Sequence, residues 1–345
     1  MKTLLLAVFI SLVCIPAWSQ KKSDFNFEIG DQKIENNVYG GLEYIESREE
    51  PEHIGAVFSR WNGMNEVTLS QPLGSQLQSL FNKNADETST NKIAVQMRRF
   101  YFDAGYDNNA GKSTCNIRIT LYQKDNENNY YFINTLDTLL VNGNKEIKKD
   151  ASDAVTSFII ENLAYYADEA EPRLDLNQVM DIDIYEMAGT PFYNTDIIPD
   201  GVYKSYRSLM HLTPDIRVQV TAKKGDDNTL KDIQIPDPEK QGKYKKIKNK
   251  DAYAVVVSGK PFISFNGNFY EAYKKDGMWC FTISQKVAGS GFSLGIGVGG
   301  GNRHAGGGIG IGIPIGGKKE KIEMIIDHLN GEFYWGDKII EQKEK

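Results

Sequence analysis

Two β-type runs, CNIRITLYQ (115–123) and YYFINTLDTLLV (130–141), stand on either side of the turn-forming stretch KDNENN. Ile117, Ile119 and Leu121 alternate along the first run. Because strand side chains repeat every two residues, burying that row fixes which face of the strand turns inward. The three pieces therefore predict an antiparallel hairpin. Amphipathic stretches flank it. Pro72 opens PLGSQLQSLF, in which Leu73, Leu77, Leu80 and Phe81 recur on one helical face. Asp150, with Asp153 three residues later, stands as a cap signal before a second helix. There Val155, Phe158, Ile159, Asn162, Leu163 and Tyr166 form a mostly apolar face. KIAVQMRRFYF, rich in β-branched and aromatic residues, adds a strand. The order helix, strand, hairpin, helix predicts an α+β layer in which two helices cover one face of an antiparallel or mixed sheet. Residues 21–65 are less defined: FNFEIG alternates, NNVYGGLEYIE holds a Gly-Gly turn, and IGAVFSRWNGM fits a short strand ending in a turn.

Over residues 66–167, the order PLGSQLQSLF, IAVQMRRFYF, CNIRITLYQ with YYFINTLDTLL, and DAVTSFIIENL resembles the auxiliary lipoprotein component of bacterial lipid-transport ABC systems. That resemblance implies an α/β layer held in the envelope and a role in lipid handling. The chain departs from the family at Cys14, which follows Val13 where lipid attachment favours a small residue.

The stretch EAEPRLDLNQVMDIDIYEMAGTPFYNTDIIP contains Pro172, Pro191 and Pro199 and no long periodic segment. It reads as a boundary between an α+β domain over 20–190 and a mainly antiparallel β domain over 191–345. Tyr206, Leu209 and Met210 share a short helical face that stops before Pro214. IRVQVTA, AYAVVVSG, PFISFNG, FYEAYKKDG and MWCFTIS then read as strands between turn residues, and IEMIID and GEFYWG as closing strands. Pro199, Asp200, Gly201, Tyr203, Tyr206 and Pro214 form a pattern that resembles one in uncharacterised exported proteins of the Bacteroidota, a likeness spanning about residues 196–283. It implies lineage and compartment, and no activity.

Within residues 291–315, Phe292, Leu294, Ile296 and Val298 alternate with serine and glycine. Ile309, Ile311, Ile313 and Ile315 alternate with Gly310, Gly312 and Pro314. Glycine weakens a strand interior, so bare backbone here implies close approach of another surface. The predicted form is a Gly-rich hairpin turning around Gly299–Gly308, its aliphatic row toward its own domain or a neighbouring subunit. A glycine linker and membrane insertion are the competing readings.

Lys2, the apolar run LLLAVFISLVCIPA and then AWSQ have the layout of a secretory signal peptide over residues 1–19, cleaved before Gln20. The run is shorter than a membrane span, so no transmembrane segment is expected after its removal. The chain is thereby expected to be exported, to the periplasm or the outer cell surface. Cys115 and Cys280 then remain, and an oxidising compartment would permit a disulfide. Both sit in apolar strand-like runs, where separate burial is the simpler expectation. The 40 basic and 46 acidic side chains leave a formal charge of -6, without the basic face that nucleic-acid binding needs. KQGKYKKIKNK has one aromatic residue and reads as a solvated loop.

Several motifs fail on spacing. AGYDNNAGKST places five residues between Gly105 and Gly111, where a phosphate loop has four, and a strand follows Lys112 where a helix should begin. His53, His211, His304 and His328 are isolated from one another. Serines lack the nucleophile-elbow context, and KDNENNYY lacks the glycine and terminal glutamate of a calcium loop. Asp181 and Asp183 alternate along what reads as a short extended run and form a possible carboxylate pair. No catalytic, cofactor-binding or metal-ligating residues are assigned. The sequence points to a non-enzymatic exported cell-envelope binding or scaffolding protein. Its partner is expected to be an envelope protein or lipid, with self-association through the Gly-rich hairpin. The alternatives are a lipid-handling transport auxiliary protein and an extracytoplasmic hydrolase whose active site follows no motif.

Overall fold

The structure, a computed structural model, describes residues 22–28, 37–48, 50–59, 63–82, 89–107, 112–168, 170–237, 240–287 and 318–339. The expected signal segment with Cys14, and the expected Gly-rich hairpin with His304, lie outside the described residues.

The chain enters through strands β1 (Lys22–Phe25), β2 (Gly41–Glu46), β3 (Ala56–Ser59) and β4 (Gly63–Leu69), then helix α1 (Leu73–Asn82). Strands β5 (Lys92–Asp107), β6 (Lys112–Lys124) and β7 (Tyr130–Gly143) follow, and helix α2 (Asn144–Asn162) closes this half. They build a four-stranded sheet ordered β2-β5-β6-β7, with β2 parallel to β5 and the other pairs antiparallel. β6 and β7 form the predicted hairpin. The Asp125 carboxylate closes its turn by accepting the backbone N–H groups of Glu127 and Asn129 at 2.8 and 2.9 Å. Leu73, Leu77, Leu80 and Phe81 of α1, Val155 and Ile159 of α2, and Leu163 at the C-cap of α2 share a core with Ile117, Ile119 and Leu121.

Helix α2 begins at Asn144, after extended Gly143, and not behind Asp150. Its first turns bury Ile147 and Ala151, while Lys148 reaches Ser23 and the Asp24 carbonyl and Lys149 pairs with Asp153 in solvent. The adjacent lysines obscure a helical period that Ile147 and Ala151 carry. The boundary stretch is likewise more ordered than its sequence suggests. It contains helices α3 (Leu176–Met180), α4 (Ile182–Ala188) and α5 (Pro191–Asn194), each too short to display a period. Asp175 and Gln178 start α3 with a reciprocal capping box.

The remaining elements are β8 (Gly201–Tyr203), α6 (Tyr206–Met210), β9 (Thr221–Lys224), β10 (Thr229–Pro236), β11 (Tyr244–Lys246), β12 (Ala254–Val257), β13 (Lys260–Phe265) and β14 (Asn268–Lys275), then β15 (Met278–Val287), β16 (Lys318–Ile326) and β17 (Phe333–Ile339). They form a ten-stranded antiparallel sheet, ordered β17-β16-β15-β14-β13-β12-β8, with β10 joining β14 to β9 and β11. It curls into a half-barrel, and the whole fold is mixed α+β with mostly antiparallel sheets. Ser258-Gly259, Asn266-Gly267 and Asp276-Gly277 turn three successive hairpins with both residues at positive φ. This geometry matches the right-handed twist of the flanking strands. Phe265, Phe281 and Phe333 pack with Phe192, Tyr206 and Leu209 in one core, and Leu230, Ile235, Val255 and Phe262 belong to another. The lysine-rich stretch is a strand edge as well as a loop: β11 lies in it, exposed and, among the described residues, paired only to β10.

Candidate functional site

The outer face of the four-stranded sheet, opposite the helices, carries an unusual row for a strand pair. On β6 it presents Asn116, Arg118, Thr120 and Tyr122, all buried. The register of β5 against β6 shifts between Met97 and Arg99, leaving Arg98 as an extra residue. Ile93, Val95 and Met97 face the core before this bulge, and Phe100 and Phe102 do so after it. A bulge sets two residues against one on the partner strand. It puts the consecutive arginines Arg98 and Arg99 on the same outer face, beside Arg118.

Three guanidiniums on one largely covered face demand counter-charge. Much of it comes from the turn between β16 and β17. Asp327 is buried and takes Arg118 at 2.7 Å and Arg99 at 3.1 Å. Asp137, directly across the ladder from Arg118, accepts its Nε and Nη2 at 3.0 Å each. Asp137 also accepts the Asn330 side-chain amide at 2.9 Å. Burial alone would raise the Asp327 carboxyl; Arg118 and Arg99 instead hold it well below the usual carboxylate range.

The turn itself is fixed from the other side. Tyr206, Tyr253 and Tyr193 donate hydroxyl hydrogen bonds to the carbonyls of His328, Gly331 and Ile326 at 2.8, 2.7 and 3.3 Å. Gly331 has φ +74°, and a Cβ there would lie 2.1 Å from the Tyr206 ring. Only glycine fits both demands. Beside the turn, Glu332 is pushed up to about 7 by burial and by the negative charges of Asp137 and Asp327.

The third arginine meets α4. Arg98 donates to Glu186 through Nη1 at 3.0 Å, to Thr120 at 3.2 Å, and through Nη2 to Asp183 and Glu186. His328 Nε2 lies 2.7 Å from Glu186 Oε2 and 3.7 Å from Asp183 Oδ1. Burial tends to raise the Glu186 carboxyl, but His328 and Arg98 bring it below its ordinary value. Asp183, Glu186 and His328 are a donor set that suits a divalent cation, with one ligand atom from each lying within 4.8 Å of the others. The Arg98 guanidinium already bridges the two carboxylates, however. A metal would have to approach a buried positive charge and displace its hydrogen bonds. The trio is therefore an ion-pair fastening.

Sequence reasoning placed Asp181 and Asp183 on an extended run. They are not extended: Asp181 is the turn residue that joins α3 to α4, and Asp183 lies in the first turn of α4. Only Asp183 reaches the seam. Of the histidines, His328 joins it, whereas His53 is exposed in a turn and His211 exposed at the end of α6. Lys112 opens β6 opposite Asp107, with no helix behind it. Cys115 and Cys280 are both free and buried.

No family model and no curated protein matches the chain. One solved structure, titled "Crystal structure of uncharacterized protein", is similar over 42% of this chain and 97% of its own length, at 10% identity and a TM-score of 0.22. A TM-score that low carries no argument about fold or function.

Proposed function

We propose that the chain is a non-enzymatic exported binding or scaffolding protein of the cell envelope, and that it docks a protein partner through the outer side of α3 and α4. One observation carries this reading. Among the described residues nine large hydrophobics are exposed, and five of them, Leu176, Met180, Ile184, Tyr185 and Ile197, fall within 22 residues of chain. Such a concentration of exposed apolar side chains marks an interaction surface, whereas single ones are ordinary. The helices are firmly mounted: Val179 is buried beneath α3, Arg98 and His328 hold α4, and Phe192 stacks on Trp279 at 4.6 Å. A rigid face loses little entropy on binding.

Charge selects among partners. Apart from Asp183 and Glu186, which Arg98 holds, the described residues of 168–186 carry Asp168, Glu171, Asp175 and Asp181 against Arg173 alone. An anionic leaflet repels such a surface; a protein segment combining lysines with apolar side chains suits it. The seam supports the non-enzymatic part, since Asp137, Asp183, Glu186 and Asp327 are each committed to arginine.

A photo-crosslinking residue at position 184, introduced in the native host, tests the reading. The expected result is an adduct with one protein that also binds the purified chain and no longer binds the Ile184→Asp variant. Adducts to lipid alone, or none from positions 176, 180 and 184, would overturn it.

A further inference from the structure

We infer that the partner of the α3–α4 face is a second copy of this chain, presented through its own lysine-rich hairpin, so that copies associate head to tail. This rests on the docking reading above and names the partner. The two surfaces are complementary in both charge and apolarity. Residues 240–250 carry Lys240, Lys243, Lys245, Lys246, Lys248 and Lys250 and no acidic residue. Tyr244, in their midst, is 61% exposed. Lys246 pairs with Asp232 at 3.2 Å; among the described residues the other five form no ion pair. Within one molecule, no ion pair joins this hairpin to the acidic stretch among the described residues.

Among the described residues β11 is an edge strand, paired to β10 alone. Lysines along an edge oppose the addition of another strand. They leave contact through side chains open, with the acidic stretch that leads into α3 and joins it to α4 as the matching surface. Tyr244 offers an apolar ring with a polar tip, suited to the exposed Leu176, Met180 and Ile184, which are interleaved in sequence with Asp175 and Asp181. Each molecule carries one surface of each kind, at different places on the fold. The contact is therefore heterologous, and repetition gives a ring or an open filament.

Sedimentation velocity on the chain purified as the cell processes it, from about 1 μM to about 1 mM, is the test. Two charge reversals are compared: Lys243→Glu/Lys245→Glu/Lys248→Glu, and Asp168→Lys/Glu171→Lys/Asp181→Lys. These six side chains lie outside the seam and the cores, and circular dichroism confirms that the variants remain folded. The parent is expected to self-associate, more weakly as salt rises from about 0.05 to about 0.5 M. Each reversal alone is expected to raise the dissociation constant at least about tenfold, and an equimolar mixture of the two to associate again. A parent that stays monomeric, association indifferent to either reversal, or a mixture that does not recover would each overturn the inference. If the chain is monomeric while position 184 still captures a different protein, the self-association inference falls and the docking reading stands. Failure of both experiments removes both.

Discussion

Arg118 of β6 and Asp327 of the β16–β17 turn, 209 residues apart in sequence, meet at 2.7 Å with neither side chain more than 2% exposed. This pair joins two sheets that share no strand pairing among the described residues. Its energetics differ from those of a surface ion pair. Both charges have been withdrawn from water, so removing one leaves the other buried and uncompensated.

Asp327→Ala is accordingly expected to destabilise the chain by about 3–5 kcal/mol. Lys149→Ala, which breaks the exposed Lys149–Asp153 pair on α2, is expected to leave stability close to that of the parent. Urea unfolding of the two variants beside the parent checks the contrast. Equal midpoints would show that the seam contributes no more than a surface pair.

The seam also predicts a two-sided pH dependence. The folded-state value of Asp327 is depressed. The stabilisation it provides is present above the unfolded carboxylate value, about 3.9, and is lost as pH falls through the lower folded value. Glu332 has the opposite sign, being raised to about 7. Its contribution is complete below the unfolded value of about 4.3 and is lost as pH rises through about 7. Glu332→Gln should therefore raise the melting temperature relative to the parent more at pH 8 than at pH 5. Parallel melting curves at the two values would contradict that assignment.

Phe192→Ala removes the ring stacked on Trp279 and opens a cavity beneath α5. A cost of about 3–5 kcal/mol is expected for such a truncation. Proteolytic cleavage between residues 170 and 195 should become faster than cleavage elsewhere, as the short helices lose their anchor. Unchanged resistance there would mean that Arg98 and His328 alone hold the segment.

The cysteines give a chemical test. Cys115 belongs to the helix–sheet core and Cys280 is buried on β15, where burial pushes its thiol up to about 11. Neither should react readily with a maleimide in the folded chain. Peptide mapping after denaturation without reductant should find both alkylated. A linked peptide containing 115 and 280 would contradict the free thiols.

The β6–β7 hairpin and the apolar face of α1 were legible because each repeats a simple period over enough residues to display it. The seam was not. In MRRF, alternation assigns Arg98 and Arg99 to opposite faces, and only the bulge puts them together. Asp183 looks extended because α4 has seven residues, fewer than two full apolar repeats. His328 looks isolated because its neighbours, Asp183 and Glu186, lie more than 140 residues earlier. One usable signal was present: Asp175 with Gln178 three residues later is a helix start, and it marks the boundary stretch as ordered.

The bulge that gathers the arginines also sets an order of completion. Arg98, Arg99 and Arg118 leave the ribosome long before Asp327, so an unfinished chain holds three cations on one sheet face with Asp137 among its few nearby anions. Sealing that face requires a turn that follows Arg118 by 209 residues to fold back onto it. A product that stops before Asp327 thus leaves Arg99 and Arg118 without their shared carboxylate, and its first half more open to proteases.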